Sequence, residues 1–290
     1  MFSGSGVAIV TPFTNGEVDI EKFKSLIDFQ LKNNTQALIV LGTTGEASTI
    51  DFKERELIVK TAVQHVAKRI PVIIGTGVNS TLTSIKYTKQ AEELGADGVL
   101  VVTPYYNKAT QKGLIIHYTE IANSTKLPVI LYNVPGRTCV NIAPKTVAEL
   151  AKVDNIVAIK EACGDMSQIL EIKRLVPEDF MIYSGNDDNV VPILACGGQG
   201  VISVAANVVP KEFQRMCELF MNGNMKEALE LQLKYKKLVD LLFIEVNPIP
   251  VKAAVSALGF IENELRLPLT SIEDNNMILL VEEMKKLQII

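Results

Sequence analysis

The sequence predicts an α/β protein, a (β/α)8 TIM barrel with a C-terminal helical extension. Three observations carry this expectation. Eight short apolar runs recur along the 290 residues, each nearly continuous in Val, Ile and Leu. Runs of that kind belong to strands buried on both faces, as in a parallel sheet. Helix-like stretches follow most of them, and no linker, low-complexity tract or short repeat interrupts the alternation. Eight such units with short connections close into a barrel more naturally than they open into a flat sheet.

The expected strands are GVAIVTP (6–12), ALIVLG (37–42), PVIIGTG (71–77), GVLVVTP (98–104), PVILYNVP (128–135), IVAIKEA (156–162), FMIYSGN (180–186) and GVISVAAN (200–207). After the first comes DIEKFKSLIDFQLKNN, with Asp19 placed to cap a helix and Phe23, Leu26, Ile27 and Leu31 on one face. After the second comes DFKERELIVKTAVQHVAKR, where Asp51 and Glu54 have the spacing of a capping box. Helical periodicity continues over 80–94, 111–125 and 167–176. Gly197-Gly198-Gln199-Gly200 precedes the eighth strand and reads as a turn at the barrel bottom.

About eighty residues then remain, more than the single helix a barrel needs for closure. They contain helical segments over 211–221, 225–243 and 271–287, with NPIPVKAAVSALG (247–259) between the last two. The predicted division is a catalytic barrel over 1–210 and a helical region over 211–290 that includes barrel closure. That region either packs on the barrel flank or supplies contacts between subunits.

Composition narrows the function. The chain has a formal charge of −4, 48% hydrophobic and 21% charged residues, four Cys, two His and no Trp. Mild acidity with interspersed charge lacks the basic patch of a nucleic-acid surface. No apolar run approaches the roughly 20 residues of a membrane span. MFSGSGVAIVTPF has neither a basic n-region nor a small-residue cleavage site, so no signal peptide is expected. Cys139, Cys163, Cys196 and Cys217 are widely spaced, which argues against structural zinc and for buried free thiols in a reduced, cytoplasmic protein. His65 and His117 both fall in helical segments, so catalysis is expected from Lys, Tyr, Thr, Arg or carboxylates.

In a barrel of this class the site lies at the C-terminal ends of the strands. Polar residues collect at those positions: Gly42-Thr43-Thr44-Gly45-Glu46, Tyr105-Tyr106-Asn107, Tyr132-Asn133 with Arg137 just beyond, Lys160-Glu161, and Ser184-Gly185-Asn186-Asp187. Lys160 stands out because lysine is almost never fully buried without a partner. Period-two geometry puts it on one face with Ile156 and Ala158. Either the strand ends early and Lys160 snorkels outward, or that face is the lumen. In an apolar lumen desolvation favours the neutral amine, a nucleophile for carbonyl carbon. Tyr132, near the top of the preceding strand, could shuttle protons there. The GTTGE turn offers free N–H groups and two hydroxyls suited to a small carboxylate, and Arg137 could fork a second one.

These motifs together resemble the dihydrodipicolinate synthase (4-hydroxy-tetrahydrodipicolinate synthase) family of pyruvate-dependent, class I aldolase-like barrels. The likeness runs from GVAIVTPF through GTTGE, VTPYYN, LYNVPGRT, IVAIKEA, SGND and GVISVAANV to NPIPVK. It implies that Lys160 forms a Schiff base with pyruvate, and that Tyr132, Thr43 and Tyr106 relay protons, Tyr106 commonly toward a neighbouring subunit. It implies that Thr44 holds the pyruvate carboxylate, that Arg137 binds that of L-aspartate-β-semialdehyde, and that Gly185 and Ile202 line the pocket. The expected reaction is condensation of the two substrates to 4-hydroxy-tetrahydrodipicolinate, in lysine and diaminopimelate biosynthesis, with no metal or organic cofactor. A homotetramer built as a dimer of dimers is expected before a dimer.

Sialic acid and 2-keto-3-deoxy-sugar-acid lyases share Lys160 and Tyr132, but Arg137 separates them from the synthases. A non-catalytic sensor on the same barrel would have no need of the nucleophile. Some members of this family bind lysine as an inhibitor through a Glu, two His, an Asn and a Tyr. Asn79 and Tyr105 match that set, whereas Phe52, Arg55 and Thr83 replace the two His and the Glu. Weak or absent inhibition by lysine is therefore expected.

Overall fold

The computed structural model describes all 290 residues. Eight strands form a closed barrel in chain order: β1 Gly4–Ala8, β2 Ala37–Val40, β3 Val72–Gly75, β4 Gly98–Val102, β5 Val129–Asn133, β6 Ile156–Glu161, β7 Met181–Ser184 and β8 Gly200–Ser203. Every neighbouring pair is parallel, and β1 closes the ring against β8. Strand parity sorts the side chains into two cores. Leu38, Val40, Ile74, Val99, Val101, Leu131, Ile159, Ile182 and Val201 face the helices in the large outer core. Ala8, Ile39, Ile73, Leu100, Ile130, Ala158 and Ile202 fill the lumen. Phe2 joins the lumen cluster from beyond the start of β1 and stacks on Tyr183 at 4.4 Å.

The helices are α1 Ile20–Lys32, α2 Phe52–Val66, α3 Thr81–Glu93, α4 Gln111–Asn123, α5 Pro135–Thr138, α6 Pro144–Leu150, α7 Met166–Leu175, α8 Val190–Ala195, α9 Pro210–Met221, α10 Met225–Leu242, α11 Ile249–Ala257 and α12 Asp274–Lys286. Asp19 caps α1 by accepting from the Lys22 N–H at 3.0 Å. Asp51 caps α2 by accepting from the Lys53 and Glu54 N–H groups at 2.8 Å each, and Glu54 accepts in return from the Asp51 N–H at 3.0 Å. The reciprocal bonds satisfy donors that a helix start leaves free. Helix α9 packs on β1, and its Gln214 side chain accepts from the Ser5 N–H at 2.8 Å. It is thus the eighth helix of the barrel ring.

The fold departs from the expectation in four places. Strand β1 starts at Gly4 and stops at Ala8, not at 6–12, because its first three residues are Gly, Ser and Gly and carry no apolar signal. A side chain at Gly200 would place its Cβ 1.9 Å from the Gly4 carbonyl oxygen, so β1 and β8 meet backbone to backbone. A two-stranded hairpin, Phe13–Thr14 with Glu17–Val18, turns on Asn15-Gly16 at φ 54° and 82°. Asn-Gly is the preferred pair for such a turn. The 247–259 segment holds helix α11, despite Pro248 and Pro250, since proline is tolerated at a helix start. Only Cys217 is a buried thiol; Cys139 is exposed and Cys163 and Cys196 are half-buried.

Candidate active site

Lys160 and Tyr132 are register partners on β6 and β5. They share lumen parity with Ala158 and Ile130, so both side chains enter the barrel rather than the helix layer. The Lys160 Nζ stands 4.3 Å from the centre of the Tyr132 ring. The two residues are only 5% and 7% exposed, which places an amine and a phenol together in a nearly closed space. No carboxylate pairs with Lys160, whereas the other enclosed lysine, Lys252, is paired with Glu46.

The next residue on each strand turns the other way. Asn133 and Glu161 are buried behind the barrel wall, and the Asn133 amide donates to both Glu161 oxygens at 2.9 and 3.1 Å. The Cys163 N–H and the Gln168 side chain also donate to Glu161, at 2.9 and 3.2 Å. Burial pushes the Glu161 carboxyl up, and these donors oppose the shift. The network ties the tops of β5 and β6 together directly behind Tyr132 and Lys160. Asp187 does the same for β7 and β8: its Oδ2 accepts from the Val204 and Ala205 N–H groups at 3.0 and 2.8 Å. Burial pushes Asp187 up, against the pull of Ser203, of those N–H groups and of Lys160.

The loop after β2 is held in an unusual shape. Leu41 and Glu46 bracket it at φ 57° and 53°, a left-handed conformation that non-glycine residues seldom adopt. Gly75 makes room for it, since a Cβ there would lie 2.1 Å from the Leu41 oxygen. Between the brackets a 3-10 turn, Thr43–Gly45, leaves Thr43 exposed at the mouth and Thr44 buried. The Thr44 hydroxyl accepts from the Asn247 amide at 3.0 Å, and Thr11 donates to the Gly45 oxygen at 2.8 Å. Glu46 pairs with Lys252 at 2.7 Å, both side chains essentially inaccessible. Burial pushes Lys252 below the usual lysine value and Glu46 opposes the shift.

Two adjoining cavities result. The inner one, about 60 Å³, is lined by Thr43, Thr44, Tyr132, Arg137, Lys160 and Gly185, with Asn186 and Asn247. The outer one, about 290 Å³, shares Thr43, Tyr132 and Arg137 and extends to Arg55, Tyr87 and Tyr105. Arg137 rides on the short α5 and donates to the Asn247 oxygen at 3.3 Å. The inner cavity thus gathers one amine, one phenol, two threonines and one guanidinium, a set that can bind carboxylates and carry out carbonyl chemistry. No group of three or more His, Cys, Asp or Glu is arranged to hold a metal ion.

Of the remaining expected residues, Ile202 belongs to the lumen cluster but lines neither cavity. Tyr106 lines neither cavity; it is 87% exposed and held at φ 76°. Arg55 and Tyr105 reach the outer cavity, whereas Phe52, Asn79 and Thr83 do not. Arg55 is buried, lies 4.3 Å over the Tyr87 ring and donates to the Gly75 oxygen; burial lowers it to about 10. Asn247 and Lys252 escaped the sequence reading. Lys252 carries the same signal as Lys160, a lysine inside an apolar run, but lies in the tail read as flank packing or contacts between subunits.

Residues 1–287 match the Dihydrodipicolinate synthetase family. The chain belongs to that family. It is 69% identical over 290 residues to the 4-hydroxy-tetrahydrodipicolinate synthase of Alkaliphilus oremlandii, covering 100% of both chains. Its fold matches the crystal structure of the dihydrodipicolinate synthase of Thermotoga maritima with a TM-score of 0.99 at 50% identity, covering 100% of each. A monomeric dihydrodipicolinate synthase variant matches with the same TM-score, 0.99, at 49% identity over 100% of this chain and 98% of that one. As a Dihydrodipicolinate synthetase family member, the chain carries its Lys160–Tyr132 pair within full-length similarity, not on a shared barrel alone.

Proposed function

We propose that this chain condenses pyruvate with L-aspartate-β-semialdehyde to 4-hydroxy-tetrahydrodipicolinate, a lyase-class step of lysine and diaminopimelate biosynthesis. The enclosed Lys160 amine against Tyr132 carries the reading, in a chain 69% identical throughout to a synthase of that name. Lys160 attacks the pyruvate ketone, and loss of water gives the imine. Tyr132 and Thr43 pass protons during that dehydration, with Tyr106 completing the relay from a neighbouring subunit. Thr44 and the loop N–H groups receive the pyruvate carboxylate. Loss of a methyl proton gives an enamine, the imine itself serving as electron sink, so the reaction calls for no metal or organic cofactor. The enamine carbon adds to the aldehyde while Arg137 holds the second carboxylate. The amine of that substrate then displaces Lys160 and closes the ring, restoring the free lysine.

Arg137 at the mouth supports the synthase over the sugar-acid lyases, whose acceptor is neutral at that point. The exposure of Tyr106 supports a contact between subunits, and a homotetramer is proposed ahead of a dimer. A cytoplasmic location fits this activity; no helix is long and apolar enough to cross a membrane. The replacement of a family inhibitor-site His by Arg55 and of its Glu by Thr83 supports weak or absent inhibition by lysine, since a cationic ligand would lose a carboxylate and gain a neighbouring cation.

Borohydride reduction in the presence of pyruvate tests the chemistry. The expected product is one adduct, on Lys160, lost in Lys160→Met; a label elsewhere refutes the assignment. Turnover with L-aspartate-β-semialdehyde but not with N-acetylmannosamine is expected, and the reverse preference would establish the lyase.

A further inference from the structure

We propose that Lys252, on the C-terminal helix α11, is a positioning residue for catalysis: through its buried ion pair with Glu46 it sets the loop that presents Thr43 and Thr44. This rests on the roles given above to Lys160 and Thr43. The Lys252 and Glu46 side chains are 0% and 1% exposed and meet at 2.7 Å. The second Glu46 oxygen accepts from the Arg266 backbone N–H at 3.1 Å, and the Lys252 Nζ stands 4.1 Å from the centre of the Phe13 ring. Glu46 is therefore held at both oxygens by the C-terminal region, more than 200 residues away in sequence.

Apolar residues of similar volume in place of a buried ion pair are often as stable or more stable. The pair therefore needs a reason other than stability, and the loop supplies one. Glu46 ends the Thr43–Gly45 turn and begins the next, Ala47–Thr49, in the left-handed conformation. Its carboxylate is the anchor that fixes where that reversal occurs, two residues after Thr44. The same C-terminal segment touches the loop again where Asn247 donates to Thr44. Neither Glu46 nor Lys252 lines either cavity, so any effect on turnover is indirect, by way of the residues they position.

The test is the double variant Glu46→Gln/Lys252→Met, which removes both charges together and leaves no unpaired ion inside. Four quantities are read: melting temperature, kcat, KM for pyruvate, and borohydride adduct on Lys160. The double variant is expected to keep a cooperative melt and the Lys160 adduct, with kcat lowered ~10–100-fold as the Thr43 relay group is misplaced and KM for pyruvate raised as Thr44 shifts with it. Lys252→Met alone leaves Glu46 unpaired and is expected to lower both kcat and the melting temperature. Wild-type kcat in the double variant overturns the proposal, as does a failure of every variant to fold, which would make the pair a stability element only. Loss of the Lys160 adduct in the wild-type control would instead refute the parent reading.

Discussion

Tyr132 and Lys160 face each other because they are register partners on adjacent strands, and the amine stands 4.3 Å from the centre of the phenol ring. Tyr132→Phe keeps the ring and the packing and removes only the hydroxyl. Its kcat is expected to fall ~10²–10⁴-fold, the usual range for a general acid–base group, with an unchanged melt. His117 offers a separate check at this scale. Its Nδ1 lies 2.9 Å from the Thr81 hydroxyl, its Nε2 is buried without a partner, and burial lowers it from 6.5 to about 4. The unfolded ring takes a proton as pH falls below its ordinary value, and the folded ring does so only near the lowered one. Stability is thus lost as pH falls through that window, by about 1–3 kcal/mol. His117→Gln is expected to flatten urea-unfolding stability between those two pH values. Lys160 was legible in the sequence because a lysine ending an apolar strand breaks the burial rule. Glu161 and Asp187 were visible only as polar letters, since their roles depend on donors from α7 and from the end of β8.

Helix starts are written locally, and the sequence showed them. Asp51 and Glu54 make both bonds of the capping box, and α2 so fixed carries Arg55 under the outer cavity. Asp51→Ala is expected to cost about 1 kcal/mol in urea unfolding, within the ~0.5–2 kcal/mol range of cap removals. Elements built from unusual chemistry were harder to read. The start of β1 is a strand of Gly-Ser-Gly, held by its register with β8 rather than by apolar side chains. Helix α11 begins among prolines and is buried nearly all round, so it lacks the one-sided pattern that marks a surface helix. Asn15-Gly16 did carry a hairpin signal, overshadowed by the longer apolar run before it.

At the scale of the whole molecule, ring closure is the critical seam. A Cβ at Gly200 collides with backbone, not with a side chain that could turn aside. Gly200→Ala is expected to destabilise by more than ~2 kcal/mol, read as a lowered thermal midpoint, because the strands must part to admit it. Eight strands and their order were legible because each repeats the same period. The dependence of the site on the tail was not, because Asn247–Thr44 and Lys252–Glu46 join residues 203 and 206 positions apart. That separation has a consequence for how the protein is born. Translation delivers Lys160 and Tyr132 well before Asn247, Lys252 and Arg266, so a nascent barrel can hold the enclosed amine while the threonine loop still lacks its anchors. On the role proposed for Lys252, competence to turn over substrate is expected to arrive late in synthesis. A chain broken off before α11 would lack both anchors of the threonine loop even where its barrel had closed.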